Sequence, residues 1–247
     1  MKPWQKAVRY CAIIFAVILI VNIASWGLRL LGVVLGAAYS GTLDEAKVYE
    51  FDADTDRLDI DISAAKLIIR FEKCDSVTVK SNLKGVSVAE RWGKLKIDDN
   101  RISVSVKESE GFVEIMIPEG MILREIDLDL GAGKTVLSSI NAEEVDIDGG
   151  AGELLISRCV ISELDLDMGV GALVFSGMIT EKADMSLGVG TAEITLLGGR
   201  DSYRLELERG LGKITVDGEE VGSGRIGNGT VRVDVDGGVG SIQVEFE

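Results

Sequence analysis

Four Gly-x-Gly pairs, Gly131/Gly133, Gly150/Gly152, Gly169/Gly171 and Gly188/Gly190, follow one another at a constant interval of 19 residues. A fixed period of this length is the mark of a repeat architecture, in which one supersecondary unit is copied and stacked. The pair returns at wider intervals at Gly210/Gly212 and Gly238/Gly240, so the repeat extends from about residue 125 to the last residue of the sequence.

Short runs with period-two alternation flank each pair. Ile126, Leu128 and Leu130 alternate with Asp127 and Asp129, and Val145 and Ile147 alternate with Asp146 and Asp148. Leu164, Leu166 and Met168 alternate with Asp165 and Asp167, and Ala183, Met185 and Leu187 with Asp184 and Ser186. Such alternation puts apolar side chains on one face of a strand and acids on the other. A second short strand follows each corner, at 135–138, 153–157, 172–176 and 192–197. Each unit exposes an apolar face that it cannot bury alone, so units must stack. The expected fold is all-β, a β-helix or β-solenoid with coils of about 19–22 residues. Aromatic residues make up 5% of a chain that is 46% hydrophobic, so the core is one of Ile, Val and Leu. An antiparallel sandwich is the alternative, although it does not call for equal intervals.

Leu58-Asp-Ile-Asp-Ile62, Ser63-Ala64-Ala65 and Lys66 to Arg70 read as a degenerate copy of the unit, with small residues in place of glycine. Between it and the clear repeats, alternating runs at 76–81, 85–89, 94–97, 101–106 and 112–117 predict hairpin-like or irregular coils that cap the stack. Residues 47–118 are thus an irregular cap with degenerate coils, and 119–247 the regular repeats. Trp92, in Ala89-Glu-Arg-Trp-Gly93, predicts a turn; it is read as a packed cap residue, with an exposed contact for a partner as the alternative. The alternating acids of Ser241 to Glu247 read as protection of a terminal edge strand. The 22- and 28-residue intervals before the last two glycine pairs leave room for a specific loop between Asp217 and Gly229.

Ahead of the β region, Lys2, Lys6 and Arg9 precede an uncharged run from Tyr10 to Leu28, with further apolar sequence after Arg29. The run is long enough to cross a bilayer as a helix. Residues 1–9 are read as a cytoplasmic N-terminus, 10–38 as a transmembrane signal anchor, 39–46 as a short linker and 47–247 as the extracytoplasmic solenoid. The basic flank places the N-terminus inside; cleavage after Ala38 is the rival reading. Beyond residue 40 the chain holds 41 acids and 22 bases, a net charge of −19, which repels nucleic acid. The partners expected are therefore the membrane, through 10–38, and an envelope protein or polymer, with no nucleic acid.

The chain has no histidine, and its three cysteines, Cys11, Cys74 and Cys159, carry no disulfide or zinc spacing. Gly131-Ala-Gly-Lys-Thr135 ends like a phosphate loop, but Leu128 stands where that motif needs glycine. Gly149 to Leu154 begins like a calcium-binding β-roll and fails at Leu154. Asn228-Gly-Thr230 matches a glycosylation sequon, but Asn-Gly is read here as a turn. No catalytic residue, cofactor site or enzyme activity is read from the sequence. Register would gather Asp127, Asp146, Asp165 and Asp184 into one outward column and Asp129, Asp148 and Asp167 into another. These columns are either a solvated acidic face or a site for a hard cation such as Ca²⁺.

The N-terminal anchor, the Val113-Glu-Ile-Met-Ile-Pro118 step and the successive Leu-Asp-Leu-x-x-Gly-Ala-Gly units resemble the bacterial putative-adhesin family of unknown function, a β-strand-repeat domain that includes LiaG-like membrane-anchored proteins. The resemblance covers residues 45 to 247 and implies a right-handed β-helix-like fold at a bacterial cell envelope, with no catalytic residues. The function expected is a non-enzymatic, adhesin-like binding scaffold on the cytoplasmic membrane, its domain outside. The alternatives are an accessory component of envelope-stress signalling and a glycan-active β-helix enzyme.

Overall fold

Extended backbone with alternating apolar residues satisfies its hydrogen bonds only beside another strand, and here each repeat pairs with the next copy of itself. The computed structural model describes residues 43–52, 54–99 and 111–247. The transmembrane segment expected over 10–38 and the run at 101–106 lie outside them. Among the described residues there is no α-helix, and no helix long and apolar enough to cross a membrane.

The chain forms β1 (Leu43–Phe51), β2 (Arg57–Glu72), β3 (Val77–Leu83), β4 (Ser87–Arg91), β5 (Lys94–Asp98), β6 (Phe112–Pro118), β7 (Leu123–Ser138) and β8 (Asn141–Leu196). One 3₁₀ turn (Arg200–Ser202) precedes β9 (Tyr203–Val216), β10 (Glu219–Val221), β11 (Gly224–Ile226) and β12 (Val231–Phe246). β1 thus takes in residues assigned above to the linker. β8 is a continuous extended path through three coils, with Gly150, Gly169 and Gly188 stacked on one another at its corners. β2, β7, β9 and β12 each supply one coil, bent at the same place.

All these coils pair in parallel and in register. Leu58 pairs with Ile126 and Ile126 with Val145, while Ile69 pairs with Leu137 and Leu137 with Ile156. At the far end Val233 pairs with both Ala183 and Leu205, and Val244 with both Ile194 and Val216. Inward positions on the two arms of every coil thereby form continuous aliphatic ladders, all within one core. Each fully buried Leu, Ile or Val contributes about 1.5–3 kcal/mol relative to exposure. The β-solenoid-like architecture and the degenerate coil at 58–70 are as the periodicity predicts.

Chain order and stacking order part company at the C-terminal end. The sheet runs β2-β7-β8-β12-β9, so the last strand is inserted between β8 and β9. After its third coil the chain skips one level, builds β9, and returns as β12 to fill the gap. The 22- and 28-residue intervals arise from this detour. Two expectations are corrected by it. Residues 241–247 are an interior strand paired on both sides, and 217–229 is no free loop, because β10 and β11 fold back antiparallel on the outer edge of β9. The detour is pinned at its start. Tyr203, buried, donates its hydroxyl hydrogen to the Leu197 carbonyl at 2.5 Å, and its ring lies 5.9 Å from that of Phe246. The amides of Gly198 and Gly199 donate to the Glu247 carbonyl at 2.9 and 3.2 Å.

At the opposite pole the level next to β2 is split between β5, paired with 57–61, and β6, paired with 66–72. β4 pairs antiparallel with β5, and β3 and β1 extend the sheet antiparallel from β6. Trp92 sits in the β4–β5 turn as predicted, but it is not packed: it is 89% exposed. Among the described residues no second layer covers the tip of this short hairpin.

Candidate functional site

The corner explains the glycine pairs. A Cβ built at Gly152 would lie 1.9 Å from the Gly133 carbonyl oxygen, and one at Gly171 the same distance from that of Gly152. The same holds along both columns: Gly131, Gly150, Gly169, Gly188, Gly238 and Gly210 in the first, and Gly133, Gly152, Gly171, Gly190, Gly240 and Gly212 in the second, each against a carbonyl of the adjoining coil. Gly133 (φ +147°) and Gly240 (φ +145°) also adopt backbone that L side chains avoid. β2 carries Ser63 and Ala65 at these positions. On its other side the described ladder pairs 57–61 with β5 and 66–72 with β6, and the Ser63 hydroxyl donates to the Asp99 carbonyl at 3.2 Å.

Between the glycines stands one residue, buried at Ala64 and exposed from Ala151 onward, and register aligns these too. Ala64, Ala132 and Ala151 lead into Val170 and Val189, then Val239 and Leu211. Val170 is 53% and Leu211 66% exposed. The corner is therefore an apolar ridge running along the stack, with larger side chains toward the C-terminal end. The glycine period was legible in the sequence, but the ridge was missed; its signal was the Ala-to-Val-to-Leu drift at the middle position of each pair.

On one side of the ridge lie the acids, and the structure brings both predicted columns together. Asp127 pairs with Asp146, and Asp165 acts electrostatically on both Asp146 and Asp184. Asp129 pairs with Asp148, and Asp167 lines the same trough. Residues not singled out beforehand extend the columns: Asp59 and Asp61 at one end, Asp234, Asp236, Glu206 and Glu208 at the other. The alternation around them was visible, but their level in the stack was not. Burial, followed by neighbouring acids, pushes Asp61, Asp127, Asp146, Asp184 and Asp236 above the ordinary carboxylate range. Asp59 differs. Burial pushes it up, but Lys94 and Lys96 at 2.9 and 3.2 Å outweigh that and hold it low. At the other end Arg232 pairs with Asp234.

Two open troughs of about 850 and 830 Å³ follow the junction of acids and corner. One is floored by Gly150, Gly169 and Gly188 and edged by Asp61, Asp129, Asp148 and Asp167. The hollow beneath the corner is about 30 Å³, far below the several hundred Å³ of a small-molecule site. Among the described residues no group of three or more His, Cys, Asp or Glu side chains is arranged to hold a metal ion. Burial pushes the Cys159 thiol up to about 11, which leaves it protonated and inert. On the other side of the ridge the outer face is nearly neutral, with Val136, Leu155 and Val174 in line, flanked by Ser138, Ser157 and Ser176.

In-register coils, a small-residue corner and a long open face define a repetitive β scaffold whose chemistry lies on its surface. The chain belongs to the Toastrack DUF4097 family, whose model matches residues 55–247. No curated protein matches it. A "putative cell adhesion protein" from Clostridium sporogenes ATCC 15579 shares the fold at TM-score 0.51 and 17% identity, over 82% of this chain and 99% of that one. Looser likenesses are a "putative adhesin" from Bacteroides fragilis NCTC 9343 (TM-score 0.39, 13% identity, 81% and 97% coverage) and a "putative lipid binding protein" from Parabacteroides distasonis ATCC 8503 (0.36, 14%, 83% and 97%).

Proposed function

We propose that this protein is a non-enzymatic, adhesin-like binding scaffold of the bacterial envelope, anchored by residues 10–38 with its N-terminus in the cytoplasm and its coils wound as a right-handed β-helix outside. The observation that carries the reading is the apolar ridge of Val170, Val189, Val239 and Leu211 beside two acid columns, on a face with troughs rather than a closed pocket. Seven levels spaced about 4.8 Å apart give this face a length of roughly 30 Å, which suits an extended polymer or a protein surface better than a small substrate. The cell-adhesion description of the Clostridium sporogenes protein that shares the fold agrees with it.

A photoreactive side chain at Val170 of the full-length protein, in native membranes, tests the reading. The expected result is an adduct with an envelope protein or wall polymer that is absent when the probe sits at Glu219, beyond the ridge. Equal labelling from both positions, or cleavage of envelope glycan by the purified protein, would overturn it.

A further inference from the structure

The turn between β4 and β5 presents the only tryptophan among the described residues, and presents it to solvent. Its backbone takes a left-handed conformation (φ +57°) that bulky side chains avoid. The turn is nevertheless braced. Arg57 donates to the Trp92 carbonyl at 2.9 Å, the Glu90 carboxylate accepts the Gly93 N–H at 2.7 Å, and the Gly93 carbonyl accepts the amides of Asp56 and Arg57 at 2.9 and 3.1 Å. A large apolar ring on a rigid, strained and exposed turn calls for a surface to receive it.

The surroundings name that surface. Ile122, also exposed, lies in the loop entering β7, two residues before Arg124, whose guanidinium bonds Asp56 at the base of the turn. Arg57 donates to the Trp92 carbonyl, and Arg91 and Lys94 stand one and two residues from Trp92 in the hairpin. Ion pairs join Asp56 to Arg124 and Arg57 and Asp59 to Lys94 and Lys96, and Glu90 accepts the Gly93 amide, while Asp54 lies beside Gly93 and Arg91 beside Trp92. An indole with an aliphatic neighbour and a basic fringe has the chemistry of a contact at a lipid headgroup layer. The charge distribution points the same way. Residues 43–99 hold 13 acids and 10 bases, whereas residues 119–247 hold 25 acids and 10 bases, so this pole is the least repelled by anionic lipid. Finally, β1 and the β4–β5 hairpin both lie beyond β2 at the same pole.

We infer that the Trp92 turn is a membrane-interface foot: its ring lies in the headgroup layer of the bilayer that holds the chain, and orients the coil stack with its acidic end outward. This rests on the anchored reading above. The test uses full-length Trp4→Phe/Trp26→Phe protein in phosphatidylcholine–phosphatidylglycerol liposomes, with and without brominated acyl chains. Trp92 emission is expected to shift to the blue, to be quenched by the brominated lipid and to be protected from aqueous acrylamide. The same quenching should appear as the difference between wild type and Trp92→Phe, which leaves Trp4 and Trp26 in place. Emission that brominated lipid does not quench would overturn the foot, and protection from acrylamide without lipid quenching would reassign Trp92 to a protein contact. Alkaline extraction of wild-type membranes separates the premises: a protein that washes off removes the anchor itself, whereas one that stays with an unquenched Trp92 removes only the foot.

Discussion

The coil of β2 and the coils of β8 follow one backbone path but turn their corners with different residues, Ser63-Ala64-Ala65 in one and Gly-x-Gly in the others. The difference follows from direction. Each corner glycine aims its missing Cβ at the carbonyl of the coil on its β2 side, whereas Ser63 and Ala65 carry a Cβ at the same bend. Glycine is therefore required by what lies behind a corner, in addition to the bend within it. The two ends of the stack differ as well. Both close with short antiparallel strands, but only at the C-terminal end does an inner level, that of β12, fill last.

The largest effect should come from truncation after Gly229. It removes β12, exposing β8 and β9 along their full paired length, and is expected to abolish the cooperative thermal transition. Loss of a frayed edge alone would leave that transition in place. Gly171→Ala sets a Cβ 1.9 Å from a carbonyl oxygen and is expected to cost about 4 kcal/mol or more, which lowers Tm by roughly 8–16 °C in a domain of this size. Ala65→Gly, at the equivalent position of β2, should cost no more than about 1 kcal/mol. Equal losses from the two, measured by calorimetry, would end the directional account.

Tyr203→Phe removes the hydroxyl that ties the detour to Leu197 and leaves that carbonyl without its donor; a loss of about 1–2 kcal/mol is expected by urea denaturation. The smallest effect concerns the acid columns. Asp61, Asp127, Asp146, Asp184 and Asp236 hold protons more tightly folded than unfolded. Their ionised forms weigh against the fold above their raised values, and that penalty lifts as pH falls toward the ordinary carboxylate range. Asp56 and Asp59 act oppositely, but their contribution is lost only below that range, through their lowered values. At low salt Tm should therefore rise slightly as pH falls through the raised values toward the ordinary carboxylate range. Asp146→Asn/Asp184→Asn should diminish the rise, and added salt should mimic it. A falling Tm over that interval would show that the columns are not under mutual repulsion.

Much of the architecture was legible because its causes are local. The 19-residue period, the alternation around Asp127 or Asp165 and the corner glycines each report a requirement that every copy meets separately. The degenerate copy at 58–70 was legible for the same reason. Trp92 was not, because a turn residue is packed or bare according to whether another layer covers it. The apolar ridge escaped notice because Val170, Val189, Val239 and Leu211 form a surface only once their coils are aligned.

The residues alone determined that this chain must stack two-armed β units in register, with glycine at the bend and aliphatic side chains inside, since an alternating strand cannot otherwise cover its apolar face or satisfy its amides. Tertiary structure decided the order of the levels. β12 lies between β8 and β9 because the detour through Tyr203 leaves one level empty and the returning strand finds two unpaired ladders there. Similar alternating runs would fit any level of the stack, so only the path of the intervening chain selects one.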